Sequence, residues 1–168
     1  RVLFDLRPWM KAEEITDEAI AALTSVDHDF IRLNYAIGDM VGHTVYPEAI
    51  RIAVETVDLC LGRLLRVMEK YNGTMLITAD HGNADCMWKE KDGIRQPMVA
   101  HTKNPVPCIL KTFNDPNKFM MREVTDAGLT NVAATICMLL GFEPPDSFRP
   151  SLVAISKGLN SKGETRTS

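Results

Sequence analysis

The sequence predicts an α/β fold, with a mostly parallel sheet that has helices on both of its faces. Two observations lead to this prediction. Short apolar runs typical of buried strands alternate with longer segments in which apolar residues recur every three or four positions. The segments that carry aspartate and histidine stand beside the predicted strands. Strands that alternate with helices form parallel sheets, whose binding groups gather at the carboxyl ends of the strands.

Three segments are predicted to be strands. Residues 30–36, FIRLNYA, alternate between apolar and polar side chains. Residues 74–78 form a short, mostly apolar run, which is typical of a central strand covered on both faces. Residues 106–113, VPCILKTF, make a third candidate, and the polar stretch 88–105 before it is predicted to be a surface loop.

The longest predicted helix covers residues 47–70. Its apolar side chains follow the helical period, Pro47 suits a first turn, and Asn72-Gly73 provides a stop. A second helix is predicted over 128–140, where Gly141 suits a left-handed C-terminal cap.

A shorter helix is predicted over residues 16–23. Thr16 is the expected N-terminal cap, and the two acidic residues after it favour the positive end of the helix dipole.

Length and composition favour a single domain over residues 1–155, followed by a flexible, polar tail over 156–168. The 19 basic and 22 acidic residues give a formal charge of -3 without a basic stripe, which argues against nucleic acid as a partner. No apolar run reaches the roughly 18–20 residues that cross a bilayer, so no membrane partner is expected. The start of the chain lacks the apolar stretch of a secretory signal.

The four cysteines are widely separated and form no C-x-x-C pair, which predicts core thiols in a reducing compartment and a cytoplasmic location. Cys86 lies near the sequence DHGN, but a soft thiolate fits poorly beside hard oxygen ligands.

Five side chains of metal-ligand type lie in three segments near the predicted strand ends. Asp39 and His43 are four residues apart, so one helical turn places both on the same face, within reach of one ion. Asp80 and His81 are adjacent at the end of a predicted strand, where they either converge on one ion or serve two neighbouring ions. His101 precedes a Thr-Lys-Asn-Pro turn.

Carboxylate and imidazole ligands together suit Mn, Zn, Co or Fe better than Ca, and Mg fits less well where histidine dominates. Manganese is therefore the first choice, with magnesium or zinc behind it. Paired divalent ions stabilise charge on phosphoryl oxygens and activate a hydroxyl nucleophile, so a phosphate monoester is the expected substrate.

Each residue also has an ordinary explanation when taken alone. Asp39 and His43 are compatible with a solvated pair on a helix. His101 is compatible with an ordinary loop residue, and Asp80 with a cap of the next segment. The metal interpretation depends on all five occurring at the rim of one predicted sheet. The fourth histidine, His28, lies among acidic residues in a predicted turn and is assigned no role.

The motifs that contain these residues resemble those of cofactor-independent phosphoglycerate mutases in both order and spacing. The matching strings are GDMVGHT at 38–44, LITADHGNAD at 76–85 and AHTKNPVPC at 100–108. The resemblance extends to FDLRPWMKAEEITD at 4–17 and to the segment 128–152. It covers roughly residues 2–153.

The resemblance implies a member of the alkaline phosphatase superfamily that interconverts 3-phosphoglycerate and 2-phosphoglycerate in glycolysis and gluconeogenesis. These isomerases proceed through a phosphoserine intermediate and use two manganese or similar ions. By position, Asp39, His43 and His101 correspond to the ligands of one metal, and Asp80 and His81 to ligands of the other.

The family's nucleophilic serine and the N-terminal segment that carries it have no counterpart in this sequence. The resemblance therefore implies the C-terminal part of the phosphatase-like domain, with no catalytic nucleophile, no assignable substrate-binding residue, and no activity alone. The parent protein is expected to be monomeric. The fragment is expected to self-associate through an exposed sheet edge.

Three positions depart from the family pattern. Ile37 replaces an expected asparagine, Val45 replaces a glycine after GHT, and Arg149 replaces a glycine in the closing loop. None of them removes a ligand.

Two other functions remain open. One is a fragment of another alkaline phosphatase superfamily enzyme, such as a phosphopentomutase or a phosphomonoesterase, which would share the Asp and His ligands. The other is a non-catalytic metal-binding piece that completes a larger protein.

Overall fold

A computed structural model describes residues 3–25 and 27–156. The helices are α1 (Ala12–Ser25), α2 (Ile37–Gly42), α3 (Pro47–Lys70) and α4 (Val132–Leu139), with short 3-10 helices at Phe4–Leu6 and Leu129–Asn131. The strands are β1 (Thr74–Thr78), β2 (Trp88–Lys91), β3 (Ile94–Pro97), β4 (Cys108–Thr112), β5 (Phe119–Met121) and β6 (Val153–Ile155). None of these helices is long and apolar enough to cross a membrane.

The described residues form two compact units. The first comprises 3–25, 27–71 and 77–109, and the second comprises 72–76 and 110–156. Composition predicted a single domain over 1–155. It gave no sign of two units, because the boundaries between these units fall in or next to strands and not in a Pro/Gly-rich linker. The predicted flexible tail lies outside the described residues, apart from Ser156.

The α/β class is confirmed, but the strand pairing is not the mostly parallel one that the sequence predicted. The strands pair as β1 with β4, β2 with β3, and β5 with β6. The last two pairs are antiparallel. The parallel prediction missed the β2–β3 hairpin, which lies in the predicted surface loop. Asp92 and Gly93 close it with φ values of 53° and 72°, and two positive φ angles match the twist of a tight hairpin.

Helix α3 has the bounds predicted from the sequence. Pro47 occupies the first turn, and Asn72, with a φ of 53°, follows the last turn in the left-handed region. One face of α3 is buried in the core of the first unit. That core consists of Ala12, Ile37, Val41, Ala49, Ile50, Ala53 and Cys60.

Two other predictions for the first unit were wrong. Helix α1 begins at Ala12, so Thr16 is not its cap. Thr16 is buried inside the helix, where its hydroxyl donates to the Ala12 carbonyl at 2.6 Å and lies 2.7 Å from the Tyr35 hydroxyl. Residues 30–36 form no strand. Phe30 is half exposed, and Tyr35 packs against the core of the first unit.

In the second unit, the predicted helix over 128–140 is present as a 3-10 turn followed by α4, and Gly141 has the expected left-handed φ of 85°. Buried Asn131 fixes its start by accepting from the Gly128 N–H at 2.8 Å and donating to the Pro150 carbonyl at 2.7 Å. The predicted strand over 106–113 is β4, which begins just after Pro107, a residue without an N–H to donate.

Candidate metal centre

Helix α2 places Asp39 and His43 together, as their spacing predicted. Ile37 and Val41, only 2% and 0% exposed, anchor this short helix in the core and leave Asp39 partly exposed. His43 caps the helix, and its backbone N–H donates to the Asp39 carbonyl at 3.1 Å. The Nε2 atom of His43 lies 3.1 Å from Oδ1 of Asp39.

A backbone carbonyl orients the ring of His43. Its Nδ1 lies 2.7 Å from the carbonyl oxygen of Val99. A carbonyl oxygen only accepts, so Nδ1 carries the proton and Nε2 is left to face Asp39. This arrangement is common among metal-binding histidines, in which the second ring nitrogen donates to a carbonyl or carboxylate.

His101 approaches the same carboxylate oxygen. Its Nε2 lies 3.1 Å from Oδ1 of Asp39, and its ring centroid lies 5.3 Å from that of His43. Two imidazole nitrogens therefore converge on one carboxylate oxygen from segments far apart in the sequence.

His81 completes the cluster from the segment after β1. Its ring stacks on that of His101 with centroids 3.7 Å apart and an interplanar angle of 12°. Asp39, His81 and His101 each offer a ligand atom within 4.8 Å of the others. Asp80 lies at the edge of this group, with its side chain 79% exposed and its Oδ1 3.8 Å from Nε2 of His81.

The structure thus brings four of the five predicted ligands into contact and leaves the fifth beside them. The assignment of Asp39, His43 and His101 to one ion and of Asp80 and His81 to another stays a prediction, because His81 lies 3.8 Å from Asp80 and also belongs to the group with Asp39 and His101 whose ligand atoms lie within 4.8 Å of one another.

The donor set fits a divalent cation on geometric grounds. Two ligand atoms that each lie about 2.1 Å from one ion, at right angles to each other, are about 3.0 Å apart. This separation is close to the 3.1 Å between Oδ1 of Asp39 and Nε2 of His43 or of His101. A neutral His43 also directs the Nε2 lone pair at a carboxylate oxygen. That contact is repulsive unless a positive charge, either a proton or a metal ion, lies between the two atoms.

Asn83, which the sequence reasoning did not select, holds Asp39 in place. Its Nδ2 donates to Oδ1 of Asp39 at 2.6 Å and to the Asp39 carbonyl at 3.3 Å. Asn83 is only 6% exposed, and its Oδ1 is buried without a hydrogen-bond partner. Gly42 leaves the room for this amide, because a Cβ at that position would lie 2.5 Å from Oδ1 of Asn83.

Asp85, in the same segment, is a second residue that the sequence reasoning did not select. The hydrogen bond from the Asn104 side chain holds the pKa of the Asp85 carboxyl below its ordinary value. Desolvation opposes that shift, and the hydrogen bond from the Thr102 hydroxyl adds to it. The acidic end of the motif ADHGNAD was the available signal for this residue.

Two other residues considered at the sequence level lie outside the cluster. His28 is exposed. Cys86 is a free thiol whose Sγ lies 3.3 Å from the Trp88 carbonyl and 3.8 Å from Sδ of Met98, so its contacts are those of a packed thiol.

Comparison with known proteins defines the class to which this site belongs. The chain matches the metalloenzyme superfamily over residues 1–144. It therefore belongs to that superfamily.

Particular relatives are phosphoglycerate mutases, which confirms the resemblance seen in the motifs. The chain is 42% identical over 166 residues to the 2,3-bisphosphoglycerate-independent phosphoglycerate mutase of Trypanosoma brucei brucei, an alignment that covers 93% of the chain and 30% of the relative. It is 45% identical over 148 residues to the protein of that name from Parasynechococcus marenigrum, covering 84% of the chain and 26% of the relative.

A solved structure shows the same fold. The chain superposes on a Leishmania mexicana phosphoglycerate mutase, determined at low cobalt concentration, with a TM-score of 0.88 and 38% identity. The match covers 93% of this chain and 30% of that one. The chain thus spans about 30% of the length of the relatives it matches.

Proposed function

We propose that this chain is the metal-ligating part of a cofactor-independent phosphoglycerate mutase, which interconverts 3-phosphoglycerate and 2-phosphoglycerate. The observation that carries the proposal is the convergence of His43 and His101 on one oxygen of Asp39, each at 3.1 Å, with His81 stacked alongside. Relatives that are 42% and 45% identical carry the mutase name, which supports this reaction over others of the superfamily.

The proposed site holds two divalent ions. Asp39, His43 and His101 bind one, and Asp80 and His81 contribute to the other. Manganese is the preferred metal because of the mixed carboxylate and imidazole ligands, and magnesium, cobalt or zinc are alternatives. The determination of the Leishmania structure at low cobalt concentration supports a metal of this kind. Such ions would stabilise negative charge on a transferring phosphoryl group.

The residues of this chain have positioning roles in the proposed reaction. Asn83 fixes the Asp39 carboxylate, and the Val99 carbonyl fixes the His43 tautomer. The nucleophile that forms the phosphoserine is supplied by another segment of the mutase. The isolated chain is therefore expected to bind metal without turning over phosphoglycerate.

A chimeric enzyme tests the proposal. The 168 residues of this chain replace the aligned segment of the trypanosomal mutase, and interconversion of 3-phosphoglycerate and 2-phosphoglycerate is measured with added Mn²⁺. We expect an active chimera that loses activity on His101→Ala and keeps it on His28→Ala. A soluble, folded chimera that binds Mn²⁺ but leaves phosphoglycerate unchanged would contradict the assigned reaction.

The alternatives give different outcomes in the same assays. Another phosphatase-superfamily enzyme would yield a chimera that hydrolyses p-nitrophenyl phosphate or isomerises a phosphopentose instead. A non-catalytic metal-binding piece would yield a chimera inactive on every phosphoester. Phosphoester turnover by the isolated chain with Mn²⁺ would refute the proposal that the nucleophile lies elsewhere.

We further propose that the chain acts in the cytoplasm, that the whole mutase is a monomer, and that the isolated chain self-associates. Four free thiols favour a reducing compartment. Exposed Val54 and Leu59 on α3, at 53% and 70%, favour self-association. Sedimentation velocity should show dimers or larger species that dissociate on Leu59→Glu, whereas a compact monomer would count against this.

A further inference from the structure

The segment that carries His101 is tied to the segment that carries His81 by a compact hydrogen-bonded group. Gly82 and Thr102 form an isolated antiparallel bridge, in which the Thr102 N–H donates to the Gly82 carbonyl at 2.8 Å. The bridge joins the residues that directly follow His81 and His101 in the sequence. It thereby sets the separation of the two histidines that stack on one another.

The Asp85 carboxylate closes this group. One of its oxygens, Oδ2, accepts from the Thr102 hydroxyl at 3.0 Å and from the Asn104 side-chain amide at 2.5 Å. The other oxygen lies 3.3 Å from the same hydroxyl. Asp85 therefore contacts residues one and three positions after His101, and its side-chain hydrogen bonds go to Thr102 and Asn104 and not to a proposed ligand.

The backbone of Gly82 lies close to this exposed carboxylate. A Cβ on Gly82 would collide with the Thr102 hydroxyl oxygen and would lie 2.5 Å from Oδ1 of Asp85. The close approach of Gly82, Asp85 and Thr102 therefore depends on the missing side chain of the glycine.

We infer that Asp85 is a positioning residue for the metal centre: it acts through Thr102 and Asn104 to hold His101 against His81 and Asp39. This inference rests on the proposed function for the identity of the site, but the contacts that carry it belong to the chain itself. Residues that orient metal ligands in this way typically change metal affinity by about 10–100-fold when removed.

Two measurements on the whole chain test the inference. The first is amide hydrogen exchange of Thr102 in the metal-free chain, which reports the bridge to Gly82. Asp85→Ala should speed that exchange by about tenfold, as expected from the loss of hydrogen bonds that brace the bridge. The second is Mn²⁺ affinity by calorimetry, which Asp85→Ala should weaken by about tenfold or more.

Two further variants separate positioning from charge and from misfolding. Asp85→Asn removes the charge but keeps an oxygen to accept from Thr102, so it should restore most of the protection and the affinity. Glu90→Ala removes an equal charge from the exposed face of β2 and should change neither.

Each outcome of these experiments either supports or overturns the positioning role of Asp85. Asp85→Asn as weak as Asp85→Ala in Mn²⁺ binding would assign the effect to charge alone and overturn it. Unchanged Thr102 exchange in Asp85→Ala would overturn it as well. Faster Thr102 exchange in Asp85→Ala, together with a wild-type chain that does not bind Mn²⁺, would support the positioning of His101 while refuting the proposed metal site.

Discussion

Two glycines of helix α2 make a matched test of the support around Asp39. A Cβ on Gly42 would lie 2.5 Å from Oδ1 and 2.9 Å from Cγ of Asn83, whereas a Cβ on Gly38 meets nothing within 4 Å. Asn83 is 6% exposed and donates to Asp39, so a shift of its amide would disturb that hydrogen bond. We therefore expect Gly42→Ala to displace the amide that holds the carboxylate, and Gly38→Ala to leave it in place.

The expected change in the free energy of unfolding differs between Gly42→Ala and Gly38→Ala. Replacing a helical glycine by alanine gains at most about 0.5–1 kcal/mol. Losing a hydrogen bond to a charged group costs about 1.5–3 kcal/mol. Gly42→Ala should therefore lower the free energy of unfolding by about 1–2 kcal/mol, while Gly38→Ala should leave it unchanged or raise it slightly.

Urea denaturation of both variants measures this difference, and calorimetric titration with Mn²⁺ measures its effect on the site. Gly42→Ala should shift the urea midpoint down and weaken Mn²⁺ binding, and Gly38→Ala should do neither. If both variants change stability and affinity alike, then Asn83 does not hold Asp39 in the way described.

Three further predictions concern backbone conformation and pH. Val45→Gly should raise the free energy of unfolding by about 0.5–1 kcal/mol in urea, because a β-branched residue is strained at a φ of 54°; destabilisation would contradict this. Gly62→Ala should raise the thermal midpoint through a gain of about 0.5–1 kcal/mol, since the glycine is inside α3 with open space around it; a lower midpoint would refute that reading. The pKa of Asp85 is lowered from 3.8, so its stabilising contribution is complete above that pH and is lost as the pH falls through the lowered pKa. Asp85→Asn should therefore flatten the acid side of a plot of urea midpoint against pH, and an unchanged slope would argue against the hydrogen bonds to Asp85.

Sequence periodicity predicted the elements whose boundaries are set by residues within or next to the element itself. Helix α3 has a proline at its start and a left-handed asparagine after its end, and both signals are local. The segment 30–36 shows the opposite case. Its alternation suits a strand, but a strand also needs a partner, and Tyr35 instead meets Thr16 at 2.7 Å.

The candidate site shows the same difference between local contacts, which the sequence predicted, and contacts between distant segments, which it did not. Asp39 and His43 were predicted to meet because one helical turn relates them, and they do so at 3.1 Å. Asn83 and Asp85 were not selected, because their roles depend on contacts with α2 and with the segment after His101. Hydrogen bonds of this kind between distant segments leave no spacing pattern in a single sequence.

The central claim is that the fold gathers three of the four histidines around a divalent cation, and paramagnetic NMR with Co²⁺ tests it most directly. Ring resonances of His43, His81 and His101 should broaden or shift on titration with Co²⁺, because their rings lie within one cluster. His28, which is exposed and outside the cluster, serves as the internal control. Equal broadening of all four histidines, or no change in the three, would contradict the proposed site.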